Sequence, residues 1–157
     1  MTEVHAERYV DCPFSVAEQY VSDYLERAAK GGPEATVQLP LVAGSFTISR
    51  NVELSFDRKR AGDDPGRAHF ESEILWKSGA KLLPDFSGVI RTRIAAPGTL
   101  LIVAGRYCPP LGFFGTMFDR LIGRRIARAT LRDLAERLGR SLESREARWR
   151  EHLISAN

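Results

Sequence analysis

Residues 109–140, PPLGFFGTMFDRLIGRRIARATLRDLAERLGR, carry the most informative pattern in the chain. It opens with two prolines and a cluster of aromatic residues, and then has the period of a long amphipathic helix. In the N-terminal half, the apolar stripe carries the small residues Gly123, Ala127 and Thr130, where a packed helix usually has Leu or Ile. Leucines occupy the stripe further on. The helix is therefore predicted to line a cavity at one end and to close the core at the other.

The bulk composition is that of one soluble globular domain. A chain of 157 residues with 43% hydrophobic content is long enough to bury a single core. Acidic residues are interspersed with the arginines and the net charge is only +3, so no nucleic-acid partner is expected. Cys12 and Cys108 have no metal-ligand spacing and are predicted to be free thiols in a reducing compartment. There is no signal-peptide pattern or membrane-length apolar run, so the cytoplasm is the expected location.

Upstream of the long helix, most of the chain alternates with a period of two. Residues 3–12 predict a strand, and a helix follows from about Ser15 to Gly31. The alternation then predicts a run of antiparallel strands covered on one face, at residues 36–42, 46–56, 67–76, 85–94 and 99–108. This order predicts an α+β domain, with the last helix packed against a concave sheet.

Two segments carry a resemblance to a known family. VDCPFSVAEQYVSDY (10–24) resembles the first strand and helix of the START/Bet v 1-like superfamily, which includes polyketide cyclases and lipid-transfer proteins, and FDRLIGRRIARATLRDLAERL (118–138) resembles its C-terminal helix. The resemblance covers roughly residues 3–143. It implies the helix-grip fold, in which a curved antiparallel β-sheet wraps around a long C-terminal α-helix and encloses a cavity for a hydrophobic ligand.

The predicted ligand contacts combine inward-facing strand residues with the small-residue end of the helix. A mostly apolar cavity with a few polar groups is typical of small-molecule sites. The alternative is that one of the aromatic side chains reaches across and fills the gap. The candidates are Arg50, Phe70, Ser72, Trp76, Phe86, Ile90, Thr92, Tyr107, Phe118, Gly123, Ala127 and Thr130.

Arg50 is the charged member of this set. Alternation puts it on the inward face between Ile48 and Val52, and an unpaired buried guanidinium is costly. It therefore pairs with an acid, binds a carboxylate, phosphate or carbonyl of a ligand, or is turned outward by a bulge. Arg8, on the same face as Val10, has the same alternatives.

The chain lacks the catalytic motifs that would name an activity. G-x-S-x-G, H-E-x-x-H, C-x-x-C and phosphate-binding glycine loops are absent, so no catalytic residue, metal or cofactor is assigned. The inward hydroxyls have no evident general base beside them. The leading hypothesis is a noncatalytic binding or carrier protein for a lipid, quinone or polyketide-like molecule. The alternatives are a polyketide cyclase/aromatase-type enzyme, in which Arg50 and Tyr107 polarise a carbonyl, and an interaction module with a collapsed cavity.

The C-terminal end of the long helix presents a problem of length. The chain is divided into a ligand-binding domain at 1–144 and a helical extension or tail at 145–157. A helix from about residue 116 to 153 would be roughly 57 Å long, whereas a compact domain of this size spans about 35 Å. Either the helix breaks near Ser144, or the terminus is frayed, or its end projects. A projecting end would expose Trp149 and Leu153 as a contact for a second subunit in a homodimer or for a transient encounter with a membrane.

Overall fold

The computed structural model describes residues 2–31, 36–40, 47–51, 53–61, 69–77, 85–108 and 124–156. These residues form seven strands and two helices. In chain order the elements are β1 (Thr2–Val10), α1 (Phe14–Ala29), β2 (Thr36–Pro40), β3 (Thr47–Asn51), β4 (Glu53–Ala61), β5 (His69–Lys77), β6 (Asp85–Ala95), β7 (Gly98–Cys108) and α2 (Arg124–Ser155).

The main sheet has five antiparallel strands in the order β1-β7-β6-β5-β4, and β2 pairs with β3 in a separate two-stranded sheet. Helix α2 packs along β1 and β7, while α1 packs against β4, β6 and β7. The curved sheet and the long C-terminal helix form the helix-grip arrangement, which confirms the predicted α+β fold class.

Alternation along the strands sets the buried face. In β7, Leu101 and Val103 are fully buried, whereas Arg106 is exposed. Residues 100–104 are apolar on both faces of the strand, as is typical of an interior strand, and β7 lies between β1 and β6. Alternation places Ile94 on the same face of its strand as the buried Ile90 and Thr92, but Ile94 is 53% exposed. β5 begins at His69, which pairs with Arg93, so Ile94 lies one residue beyond the part of β6 that β5 flanks.

The prediction of one strand over residues 46–56 is wrong. The chain forms β3 in the small sheet and β4 in the main sheet, and Arg50 pairs with Val37 of β2. Alternation continues across the break, so the pattern of side chains does not reveal the change of partner. β4 also extends beyond the predicted strand end at residue 56 to Ala61, because its backbone pairs with β5 up to His69.

Helix α2 is continuous over 32 residues, about 48 Å, and does not break at Ser144. Its buried stripe continues through Leu142 and Glu146, which are 0% and 4% exposed. Beyond them Trp149 is 56% and Leu153 is 49% exposed. The projecting alternative is thus the one that the helix adopts. The division of the chain at residue 144 stays a prediction.

Candidate functional site

The inner face of the main sheet, covered by α1 and α2, is the wall on which the predicted site residues were placed. Strand pairing sets Ala6, Val103, Ile90 and Ser72 side by side in one row across the sheet, and Arg8, Leu101, Thr92 and Phe70 in the next row. Ser72, Ile90 and Thr92 are fully buried. Alternation therefore predicted their inward orientation correctly, although two of the three are polar.

Six of the twelve residues predicted to contact a ligand are buried in the described interior, and their contacts with a ligand stay predictions. Phe86, Ala127 and Thr130 are buried, as are the three residues of the central rows. The backbones of Phe70, Trp76 and Tyr107 occupy strand positions paired with Thr92 or Phe86, and the contacts predicted for their side chains stay predictions. The ligand contacts predicted for the remaining three residues also stay predictions. Arg50 lies in the small sheet, and Phe118 and Gly123 lie outside the described residues.

Thr92 has a buried hydroxyl that lacks a partner. Its Oγ1 finds no hydrogen bond among the described residues, and the side chain is fully buried. Its neighbours in strand register are the apolar residues Phe70 and Leu101. Leaving a buried hydroxyl unpaired costs about 1–3 kcal/mol. Ser72 and Thr130, the other buried hydroxyls of the predicted set, both have interaction partners. Among the described residues of this wall, Thr92 thus carries a buried hydroxyl without a hydrogen-bond partner.

Substituting Thr92 by valine should raise the free energy of unfolding of the free protein by about 1 kcal/mol, because a nearly isosteric methyl group replaces an unpaired hydroxyl. Thr99→Val is the matched control. Thr99 is equally buried, but its Oγ1 donates a hydrogen bond to the carbonyl of Cys12 at 2.7 Å. That variant should lose about 1 kcal/mol. Urea unfolding of both variants measures the difference. An equal loss in both would mean that the Thr92 hydroxyl is already bonded in the free protein.

Phe86 occupies part of the inner face at the other end of the strands. Gly88 and Gly105 are paired across β6 and β7, and a Cβ atom built on either would lie 2.6 Å from Cζ of Phe86. The ring therefore lies on the sheet, over the two glycines. An aromatic ring that covers a glycine in this way restores the packing that the missing side chain would supply. Phe86 is one of the aromatic residues that could have filled the predicted cavity, and its ring thus packs on the sheet at the glycine pair.

Arg8 has a structural role. Its Nη2 donates a hydrogen bond to Oε2 of Glu143 at 2.9 Å, its Nε lies 3.4 Å from Oε2 of Glu136, and its Nη1 donates to the Glu136 carbonyl. The side chain crosses α2 at Gly139, where a Cβ atom would come within 2.7 Å of Cδ of Arg8. Of the alternatives for this residue, pairing with an acid is confirmed. The arginine ties β1 to α2.

A second polar cluster joins α2 to α1. Nη2 of Arg145 forms an ion pair with Oδ2 of Asp23 at 2.8 Å, and Cζ of Arg145 lies 4.4 Å from the centre of the Tyr20 ring. The buried Glu146 accepts a hydrogen bond at Oε1 from Nε of Arg150 at 2.9 Å. Burial, followed by the charge of Glu146, raises the pKa of the Tyr20 hydroxyl. Sequence reasoning missed this cluster, although the i,i+4 spacing of Glu146 and Arg150 is a recognisable helical ion pair. Its charges neutralise one another, so the cluster holds the helix in place.

Cys12 is a buried free thiol beside this cluster. Burial, together with the nearby charge of Glu146, raises the pKa of the thiol to about 11. At neutral pH the group is therefore protonated and a poor nucleophile. This environment agrees with the prediction of a free cysteine.

A groove of about 650 Å³ lies at the end of the sheet where β1 begins. Most of its side chains are exposed, and they carry both signs of charge. Nε of Arg106 lies 3.7 Å from Oε1 of Glu3. The groove was not predicted, because its lining comes from strands distant in sequence and from α2. The lining includes Glu3, His5, Ser87, Ala104, Arg106 and Arg128.

The described residues contain no group of three or more His, Cys, Asp or Glu side chains arranged to hold a metal ion. Among the same residues, no helix combines the length and apolarity needed to cross a bilayer.

Comparisons with known proteins support the fold alone. No family model and no curated protein matches the chain. Among solved structures, protein TTHA0849 from Thermus thermophilus is similar, with a TM-score of 0.54, 16% identity, and coverage of 91% of this chain and 98% of that one. Protein jhp0584 from Helicobacter pylori has a TM-score of 0.49 and 8% identity over 92% of this chain and 88% of that one. At 16% identity, the likeness to TTHA0849 shows only a shared arrangement of helices and strands.

Proposed function

We propose that this protein is a cytoplasmic binding or carrier protein for a hydrophobic small molecule such as a lipid, a quinone or a polyketide-like ring compound. The molecule binds in the interior between the sheet and α2. The observation that carries the proposal is the unpaired, fully buried hydroxyl of Thr92 in an apolar surrounding. A ligand that accepts a hydrogen bond there removes a penalty that the free protein carries.

The surroundings of Thr92 favour an apolar ligand body with a polar group. Ile90, Leu101 and Val103 are fully buried beside it in the sheet, and Ala127 is fully buried on α2. Apolar walls favour a hydrocarbon or ring skeleton, whereas a lone hydroxyl favours a carbonyl or hydroxyl oxygen on that skeleton. The resemblance to the START/Bet v 1-like superfamily supports the same class of ligand.

Native mass spectrometry tests the proposal directly. The purified protein should carry added mass under native conditions, and denaturation should release that mass as an intact apolar molecule. The cyclase/aromatase hypothesis differs in its outcome, because incubation with a linear polyketide would yield a cyclised product. Protein that retains no added mass and takes up no apolar compound would contradict both hypotheses.

Ala127→Trp should reduce the uptake of the apolar fluorescent probe N-phenyl-1-naphthylamine at least about tenfold, because the indole would occupy the space that the ligand needs. Ala147→Trp is the matched control, since Ala147 is an exposed alanine on the same helix. It should leave uptake unchanged. Fluorescence titration measures uptake and circular dichroism confirms folding. If Ala127→Trp does not fold, Ala127→Leu supplies a smaller test. Undiminished uptake in a folded Ala127 variant would place the probe elsewhere.

A further inference from the structure

Large exposed apolar side chains concentrate at one end of the molecule, formed by Ile94 on β6 and by Trp149, Leu153 and Ile154 on α2. We call these four residues the apolar end. They are 53%, 56%, 49% and 78% exposed, respectively.

Contacts between neighbouring elements show that Ile94 on β6 and the exposed apolar residues of α2 lie at the same end of the fold. Ile94 pairs with Thr99, whose hydroxyl bonds the carbonyl of Cys12. The adjacent Asp11 carboxylate lies 3.9 Å from Nη1 of Arg150 on α2. The end of β6 and the end of α2 are thus linked through the segment that follows β1.

We propose that the apolar end docks on a membrane surface that contains anionic phospholipids. Tryptophan is favoured at the boundary between headgroups and acyl chains, where one part of the side chain is apolar and another is hydrated. Arg148, which precedes Trp149 on α2, is exposed. Arg148 donates its Nε–H to the carbonyl of Ser144, which leaves its positive charge available to a lipid phosphate.

The helix end is held in a fixed orientation. Glu146 is buried and bonded to Arg150, while Arg145 bonds Asp23 on α1. These contacts precede the exposed residues on the same continuous helix. Docking therefore requires no folding of the segment, and the entropic cost of ordering it is already met in the free protein.

A membrane fits this surface better than a second copy of the chain does. Stable protein interfaces take about 20–30 residues from each side, far more than the apolar end offers. Two copies joined there would also bring the exposed Arg148 of each chain toward a like charge. The inference stands on the exposed residues and does not depend on the proposed interior ligand site.

Vesicle flotation of the full-length protein tests the inference. The protein should float with mixed phosphatidylcholine and phosphatidylglycerol vesicles, and less with phosphatidylcholine alone. The double substitution Trp149→Ser/Leu153→Ser should weaken binding at least about tenfold, because two apolar side chains no longer leave water. Arg148→Gln should weaken it by about fivefold through the loss of one cation near the lipid phosphates. Leu75→Ser is the control, since Leu75 is 37% exposed on β5, away from the apolar end.

Three outcomes would overturn the inference. One is the absence of flotation with anionic vesicles. Another is flotation that the double substitution leaves unchanged or that Leu75→Ser weakens equally. The third is a dimer by light scattering that becomes a monomer in the double variant without any vesicle binding, since this would assign the surface to a second copy.

Discussion

Replacing Gly105 by alanine should lower the free energy of unfolding by about 3 kcal/mol, at the upper end of the range for overpacking. A Cβ atom at this position would lie 2.5 Å from the Cα of Gly88 and 2.6 Å from Cζ of Phe86. The first of these is backbone in a paired strand, so relief requires β6 and β7 to separate locally. Thermal unfolding should show a drop in Tm of roughly 10 °C for a domain of this size.

Gly139→Ala provides the comparison, because the atoms that its Cβ would meet belong to the flexible side chain of Arg8. Alanine in a helix interior gains about 1 kcal/mol over glycine, which offsets a weakened Arg8 ion pair. We expect this variant to remain within about 1 kcal/mol of the wild type. A Gly105→Ala protein as stable as the wild type would show that the strands are not in close contact at the glycine pair.

Leu142→Ala should cost about 3 kcal/mol, since the side chain is fully buried in the core and its removal leaves a cavity. Leu153→Ala, the same substitution on the same helix, removes a side chain that is 49% exposed and should change stability by less than about 0.5 kcal/mol. Urea unfolding monitored by circular dichroism measures both variants.

The variants Leu142→Ala and Leu153→Ala also test where the folded core ends along α2. A small effect of Leu142→Ala would mean that the helix beyond Leu138 contributes little to the core. A large effect of Leu153→Ala would mean that the projecting end packs in solution against another surface. The expected contrast instead places the limit of the core between Glu146 and Trp149, because burial of the stripe ends there.

Much of the fold could be predicted because burial imposes a period on the sequence. Ser72 and Thr92 were predicted to face inward although neither is apolar, since each lies two residues from buried positions on its strand. The stripe of α2, including Ala127 and Thr130, was predicted by the same reasoning with the helical period. These predictions needed only local spacing.

The features that were missed depend on partners distant in the chain. Arg50 belongs to β3 because Val37 pairs with it, and no local pattern reports that pairing. Arg8 meets Glu143, which is 135 residues away, so sequence spacing could not distinguish a structural ion pair from a ligand contact. The missing partner of Thr92 is also a property of the assembled interior, since it depends on which neighbours the strand register provides.

The crossing of Arg8 over Gly139 has an evolutionary consequence. In a related chain that replaces Arg8 by a smaller residue, position 139 would be free to accept alanine and to gain its helical preference. In a chain that keeps the arginine, the helical gain of alanine is offset by weaker bonds from Arg8 to Glu136 and Glu143, so alanine has no net advantage there. Positions 8 and 139 are therefore expected to covary, as residues in direct contact do. An alignment of relatives deep enough to detect that covariation would show that selection has maintained this contact between the first strand and the last helix.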